Sequence, residues 1–131
     1  MNDKSPIILP ALSIGLYTVS FFLTAYSTPK NEFEPGYGAF LSGMQALLWG
    51  FPGWLANPCY WVSLIYHHRR SWNAVSMFAR GAVLLGLSHV LLIQLFFRLR
   101  EGYLMWMLSL VILAISATWE RDQEHPRHES E

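Results

Sequence analysis

The sequence predicts an all-α protein, a polytopic membrane helical bundle of four spans with a broken or interfacial segment before the second span. Three observations carry that expectation. Hydrophobic residues make up 53% of the 131 positions and charged residues only 14%, where a soluble domain averages roughly 25% charged. Apart from Arg80, the charges fall between apolar runs or at the ends of the chain. The runs at 7–26, 74–97 and 103–119 are each long enough, as helices, to cross a hydrocarbon layer about 30 Å thick. One transmembrane domain over 1–119 accounts for the length, followed by a polar tail at 120–131.

Taken in order, the run at 7–26 carries no charge and reads as an uncleaved first span, since a single lysine precedes it and it exceeds the apolar core of a signal peptide. The loop at 27–38 is rich in turn formers and holds Lys30, Glu32 and Glu34, two carboxylates best read as solvated. From 39 to 66 no charge occurs for 28 positions. One helix of that length would run about 42 Å, and Pro52 and Pro58 oppose it, because proline lacks an amide hydrogen and pushes its predecessor out of helical geometry.

The stretch therefore divides into an interfacial or re-entrant helix at 39–50, a break carried by Pro52 and Gly53, and a second span at 54–66. Asn57 reads as the N-cap and Pro58 as the first helical residue of that span. Trp49, Trp54 and Trp61 suit the headgroup level. His67, His68, Arg69 and Arg70 follow as a basic anchor. The link at 98–102 is so short that the spans at 74–97 and 103–119 must form an antiparallel hairpin. The tail lacks apolar residues, and disorder is expected there.

Polar groups at membrane depth are the places where function could sit, because ionisable residues in a span are expensive. Arg80, His89 and Gln94 lie in the third run. Arg80 is near enough to the run's start for its side chain to reach the interface, and Gln94 is near the other end. His89 lies deep. Ala79, Ala82, Gly86 and His89 are spaced three, four and three apart, which makes one helix stripe of small residues ending in the imidazole. Such stripes let helices approach closely. Ser109 and Ser116 share a face of the last span, and a neutral His89 bonded to Ser109 is the expected arrangement. Arg80 and His89 project from opposite faces of an ideal helix. No acidic residue lies inside any expected span.

Other classes find little support. Nine basic and nine acidic residues balance, so nothing resembles the basic stripe that nucleic acid requires. Cys59 is the single cysteine, which excludes an internal disulfide. No ligand spacing for a metal, no nucleophile with a base, and no cofactor motif is evident, so no enzymatic activity is expected.

At WLANPCYW and REGYLMWMLSL the sequence resembles a family of uncharacterised small bacterial membrane proteins. Its members combine a first span, a segment rich in glycine and aromatics, a W-L-A-N-P element opening a span, and a late G-Y-x-x-W-x-x-S entering the last. Trp54, Leu55, Ala56, Asn57 and Pro58 match the first element, and Gly102, Tyr103, Trp106 and Ser109 the second. The similarity runs over about 12–117. The basic loop at 67–70, Arg80 and the longer charged tail depart from the family pattern. The resemblance implies a four-span topology in a bacterial inner membrane and no activity.

For such a topology, Lys4, Arg69, Arg70, Arg121 and Arg127 fall on one side and Lys30, Arg98 and Arg100 on the other. The excess places both termini in the cytoplasm. The expected function is that of a non-enzymatic interaction protein, an accessory subunit or immunity-type protein, contacting the lipid bilayer and another membrane protein or itself. The alternative is a small homo-oligomeric transporter or channel lined by His89 and the broken segment.

Overall fold

The computed structural model describes residues 5–27, 32–48, 50, 52–93 and 98–128. Lys4, Lys30, Trp49 and Gln94, named above, lie outside the described residues. The chain is mostly helical. In order come α1 (Ser5–Ser20), β1 (Thr24–Ser27), β2 (Phe33–Pro35), α2 (Gly36–Leu47), a 3-10 turn (Pro52–Leu55), α3 (Ala56–His68), α4 (Trp72–Ile93), β3 (Arg98–Leu99) and α5 (Glu101–His128).

The contacts order α1, α3, α4 and α5 as an up-and-down bundle. Ser13 meets Tyr60 and Tyr17 meets Asn57, so α1 and α3 run antiparallel. Ser63 bonds the Val75 carbonyl while Gly53 abuts His89, so α4 returns along α3. Tyr103 reaches the Gly86 carbonyl and His67 reaches Glu120, which sets α5 antiparallel to α4 and parallel to α3. α3 closes on Arg70, whose φ of 53° is a left-handed helix stop. α4 and α5 contain the stretches long and apolar enough to cross a membrane, Trp72–Leu91 and Glu101–Asp122, with mean hydropathy 1.5 and 1.7.

One end of the bundle is capped by a three-stranded antiparallel sheet in the order β2-β1-β3. β1 is central, pairing Ser27 with Phe33 on one side and with Arg98 on the other. The start of α5 lies so close beneath it that a Cβ at Gly102 would meet the Leu23 and Thr24 carbonyl oxygens at 2.8 Å. Only glycine fits there.

Several expected boundaries are corrected. The first apolar run stops being helix at Ser20, and residues 24–26 are strand, because Thr24–Ser27 finds backbone partners on both sides. α2 and α4 begin three and two residues before the expected 39–50 and 74–97. The hairpin link contains β3. The tail is helical as far as His128, since α5 continues past the expected end at 119. Asn57 is not an N-cap. Leu55 holds that position without a side-chain cap, and Asn57 and Pro58 lie inside the first turn of α3, where the proline's missing amide costs no helical bond.

Asn57 instead sits at the crossing of three helices. Its Oδ1 accepts from the Tyr17 hydroxyl at 2.8 Å and from Trp106 Nε1 at 3.0 Å, while its Nδ2 donates to the Trp54 carbonyl at 3.2 Å. One turn further along, Ser13 Oγ donates to the Ser109 carbonyl at 2.8 Å. Its only proton is then spent, so the Tyr60 hydroxyl donates to Ser13 at 2.9 Å. The Tyr17 and Tyr60 rings stack at 4.5 Å. Around this polar centre pack Ala79, Ala82, Leu110 and Leu113, all at or below 1% exposure.

Asn57→Ala strands two buried donors, each costing about 1–3 kcal/mol when unpaired. Tyr17→Phe removes donor and bond together and leaves Trp106 on the acceptor, for about 1 kcal/mol. Unfolding of the purified protein in detergent should rank the two in that order, and a Tyr17→Phe loss as large as that of Asn57→Ala would contradict the proposed role of the amide.

Candidate functional site

A cavity of about 70 Å³ lies at the sheet end of the bundle, between the end of α1, β1, α2, the 3-10 turn, α4 and α5. The expected break at Pro52 and Gly53 is what builds it. The 3-10 turn brings the Gly53 backbone onto His89 so closely that a Cβ at position 53 would fall on the imidazole's Cγ and Nδ1. Trp54 Nε1 donates to the Phe40 carbonyl at 3.1 Å and ties the turn to α2. The Phe40 ring lies 5.6 Å from Trp54 and 5.4 Å from Phe21. Opposite them, Tyr103 stacks on His89 at 6.2 Å and meets Trp106 edge-on at 5.1 Å. The wall is therefore mostly aromatic ring.

Its polar groups are almost all committed elsewhere. Ser20 donates to the Tyr17 carbonyl at 2.6 Å, Tyr103 to the Gly86 carbonyl at 3.2 Å, and Trp106 to Asn57. Tyr26 pairs with Ser42 at 3.2 Å. His89 is the exception, since its Nδ1 is buried without a hydrogen-bond partner. A proton on that nitrogen would be an unpaired buried donor, which folded proteins avoid. The proton is better placed on Nε2, and Nδ1 is the one buried polar side-chain atom of the wall without a hydrogen bond among the described residues.

The other sequence-predicted residues divide among three places. Ala79 and Ala82 are buried in the core, and a Cβ at Gly86 would meet Met107 Sδ at 2.7 Å. The stripe is thus consumed in contacts within the chain. The expected His89–Ser109 bond is not made, because the Tyr103 ring fills the space beside the imidazole and Ser109 Oγ donates to the Trp106 carbonyl of its own helix at 2.6 Å. Arg80 is exposed on the outer surface, on a different face from His89.

At the opposite end lies a cluster the sequence reading missed. His67 Nε2 stands 3.3 Å from both oxygens of Glu120, and Ser116 donates to Oε1 at 3.3 Å. Glu120 is only 8% exposed. The Trp72 ring meets His67 edge-on at 5.1 Å, and its Nε1 and Glu120 Oε2 are buried without hydrogen bonds. A signal existed. Glu120 follows Ser109, Leu113 and Ser116 at intervals of four, three and four, which is one helix face, but its polar neighbours made it look like the start of the tail. Among the described residues, no three His, Cys, Asp or Glu come together to hold a metal.

No protein-family model, curated protein or solved structure matches this chain.

Gly53→Ala must push His89 off its stacking partner, and overpacking of this kind costs about 1–3 kcal/mol. Gly81→Ala, on the α4 that carries His89 but with nothing within 4 Å of the added Cβ, should be neutral or stabilising, as Gly to Ala in a helix is. Thermal unfolding of the pair is expected to separate them, with Gly53→Ala alone also altering tryptophan emission. Equal behaviour of the two would mean that the Gly53–His89 contact does not shape the cavity.

Proposed function

We propose that the chain is a multi-pass membrane protein in which α1, α3, α4 and α5 cross the bilayer and α2 lies along its surface. It works by binding a second membrane protein, or another copy of itself, at the aromatic cavity, and carries out no chemistry. The observation that supports the membrane reading most is a reversal of the usual polarity. Ser13, Asn57, Ser63, Ser76, Ser109, Ser116 and Glu120 are buried, while Ile8, Leu84, Leu91, Leu104, Ile115 and Trp119 are exposed. Only 28% and 39% of the two apolar stretches in α4 and α5 is buried inside the protein. In water such a surface would be an association hazard, whereas in lipid it is the expected outer face.

Of the four helices, α4 and α5 are long and apolar enough to cross on their own, while α1, with 16 residues, reaches about 24 Å. α4 extends about 33 Å at 1.5 Å per residue. α3 together with its 3-10 turn, 4 and 13 residues, reaches about 28 Å. On α2, Tyr37, Leu41 and Met44, continued by Leu48 just past its end, form an exposed apolar stripe at helical spacing, the pattern of an interfacial helix. The family resemblance supports a bacterial inner membrane, and the basic-residue count supports both termini in the cytoplasm.

Binding is favoured over conduction because the interior between the helices is closed. Tyr60, Val75, Leu110, Leu113 and Ala117 have no exposed surface, and the cavity ends against Asn57 and Trp106. Transport is the second reading, since Gly53, Asn57 and His89 line one cavity, as a broken-helix path would need.

In a Cys59→Ser background, Glu32→Cys should react with an impermeant maleimide from outside intact cells and Asp122→Cys only after permeabilisation. Labelling of both from one side would break the four-span topology. The binding reading is tested by the mass of the complex purified in mild detergent. A stoichiometric second polypeptide, displaced by Ala39→Trp plugging the cavity, is expected. A bare chain whose vesicles pass solute, with flux lost in His89→Ala, would instead favour transport.

A further inference from the structure

The outer faces of α4 and α5 meet in a long groove of about 560 Å³, floored by Val83, Leu84, Val111, Ala114 and Ile115. At one end of this apolar trough stands Arg80, with Trp119 and Asp122 beside it. A guanidinium stays charged under all protein conditions. Among the described residues Arg80 nevertheless makes no ion pair. The groove's one carboxylate, Asp122, is engaged by Arg121 at 3.6 Å, and Glu120 turns inward to His67. Among the described residues this cation therefore stands over an apolar trough with no ion-pair partner of its own.

Depth decides what can supply one. Arg80 follows Trp72 by eight residues, about 12 Å along the helix, and its side chain can extend back toward the surface. Trp119, 61% exposed at the same end of α5, suits the headgroup level. The anion available there is a lipid phosphodiester, which the planar fork of arginine engages with two parallel hydrogen bonds. Below it, Leu84 and Ile115, 68% and 55% exposed, offer an acyl chain a continuous apolar floor.

We propose that the α4–α5 groove is a binding site for an anionic phospholipid, with Arg80 holding the headgroup phosphate and an acyl chain lying along the trough. The proposal rests on the membrane reading. The net negative charge of the lipid offsets that of an unpaired guanidinium, which a zwitterionic headgroup with its own ammonium cannot do as fully. The site is distinct from the aromatic cavity, which opens at the other end of the bundle on the opposite face of α4.

Native mass spectrometry of the detergent-purified full chain, titrated with phosphatidylglycerol and with phosphatidylcholine of matched chains, tests this. One phosphatidylglycerol should bind at least tenfold more tightly than phosphatidylcholine. Arg80→Gln should lower that affinity at least tenfold, and Arg80→Lys should fall between, keeping the charge but losing the fork. Arg69→Gln, in the exposed turn after α3, should leave it unchanged. Because Arg80 makes no ion pair among the described residues, lipid-free thermal unfolding of Arg80→Gln should match the wild type. Equal affinity for the two lipids, or unaltered phosphatidylglycerol binding in Arg80→Gln, would overturn the proposal while leaving the membrane reading intact. A lipid-free dimer that Arg80→Gln dissociates would overturn it in favour of a second copy covering the groove. Release of the chain from membranes by alkaline carbonate would remove the bilayer itself, and both readings with it.

Discussion

A side-chain amide shut away from water must find its partners inside the protein, and Asn57 on α3 finds three by drawing on two other helices and a turn. That requirement fixes much else. Tyr17 must present its hydroxyl from α1, Trp106 its indole from α5, and the 3-10 turn must hold the Trp54 carbonyl near the start of α3. Hydrogen bonds of this kind act as position markers where apolar packing alone is permissive, since one leucine slides past another at little cost while an unpaired donor does not. The stacking of Tyr17 on Tyr60 and the bond from Tyr60 to Ser13 carry the same registration a turn further along.

The helices were legible in the sequence because hydropathy reports a demand for apolar surroundings, and that demand is met in any apolar element. The same property blurred the end of α1, where Thr24–Ser27 looks like more span but satisfies its backbone as the centre of a sheet. Asn57 was misread for a related reason. Local rules offered it a cap, whereas its donors lie 40 and 49 residues away and become neighbours only once the bundle forms. His89 meets Tyr103 and not the expected Ser109, because helix phase fixes direction and leaves open which of two residues nearly two turns apart on α5 fills the space. The pairing of His67 with Glu120 spans 53 positions and follows from α3 and α5 lying side by side, a choice of neighbours that the sequence does not state.

The two ends of the bundle are built to different rules. At the sheet end most polar side chains of the wall bond within the protein, His89 Nδ1 is a buried atom that does not, and the cavity presents ring faces. At the other end, Glu120 is buried with His67 and Ser116 while Arg80 is left outside on an apolar surface. A buried carboxylate with partners and an unpaired surface cation on adjacent helices amount to a separation of charge across α4 and α5, with the negative group turned in and the positive group turned out. That asymmetry gives the bundle one flank unlike the others.

The cap has a consequence for the order in which the molecule can be assembled. β1 and β2 are close in sequence, but β3 is made some seventy residues after β1, and strands this short do not persist as an isolated hairpin. During synthesis the early hairpin therefore waits, with one edge of β1 unpaired, until α4 has returned and delivered Arg98 and Leu99. The chamber beneath the sheet, whose wall includes Ala25, Tyr26, Gly102 and Tyr103, does not exist in any shorter nascent chain. A ligand or partner that fits it can engage only a finished protein, so occupancy of the chamber doubles as a report that the last helix pair has arrived.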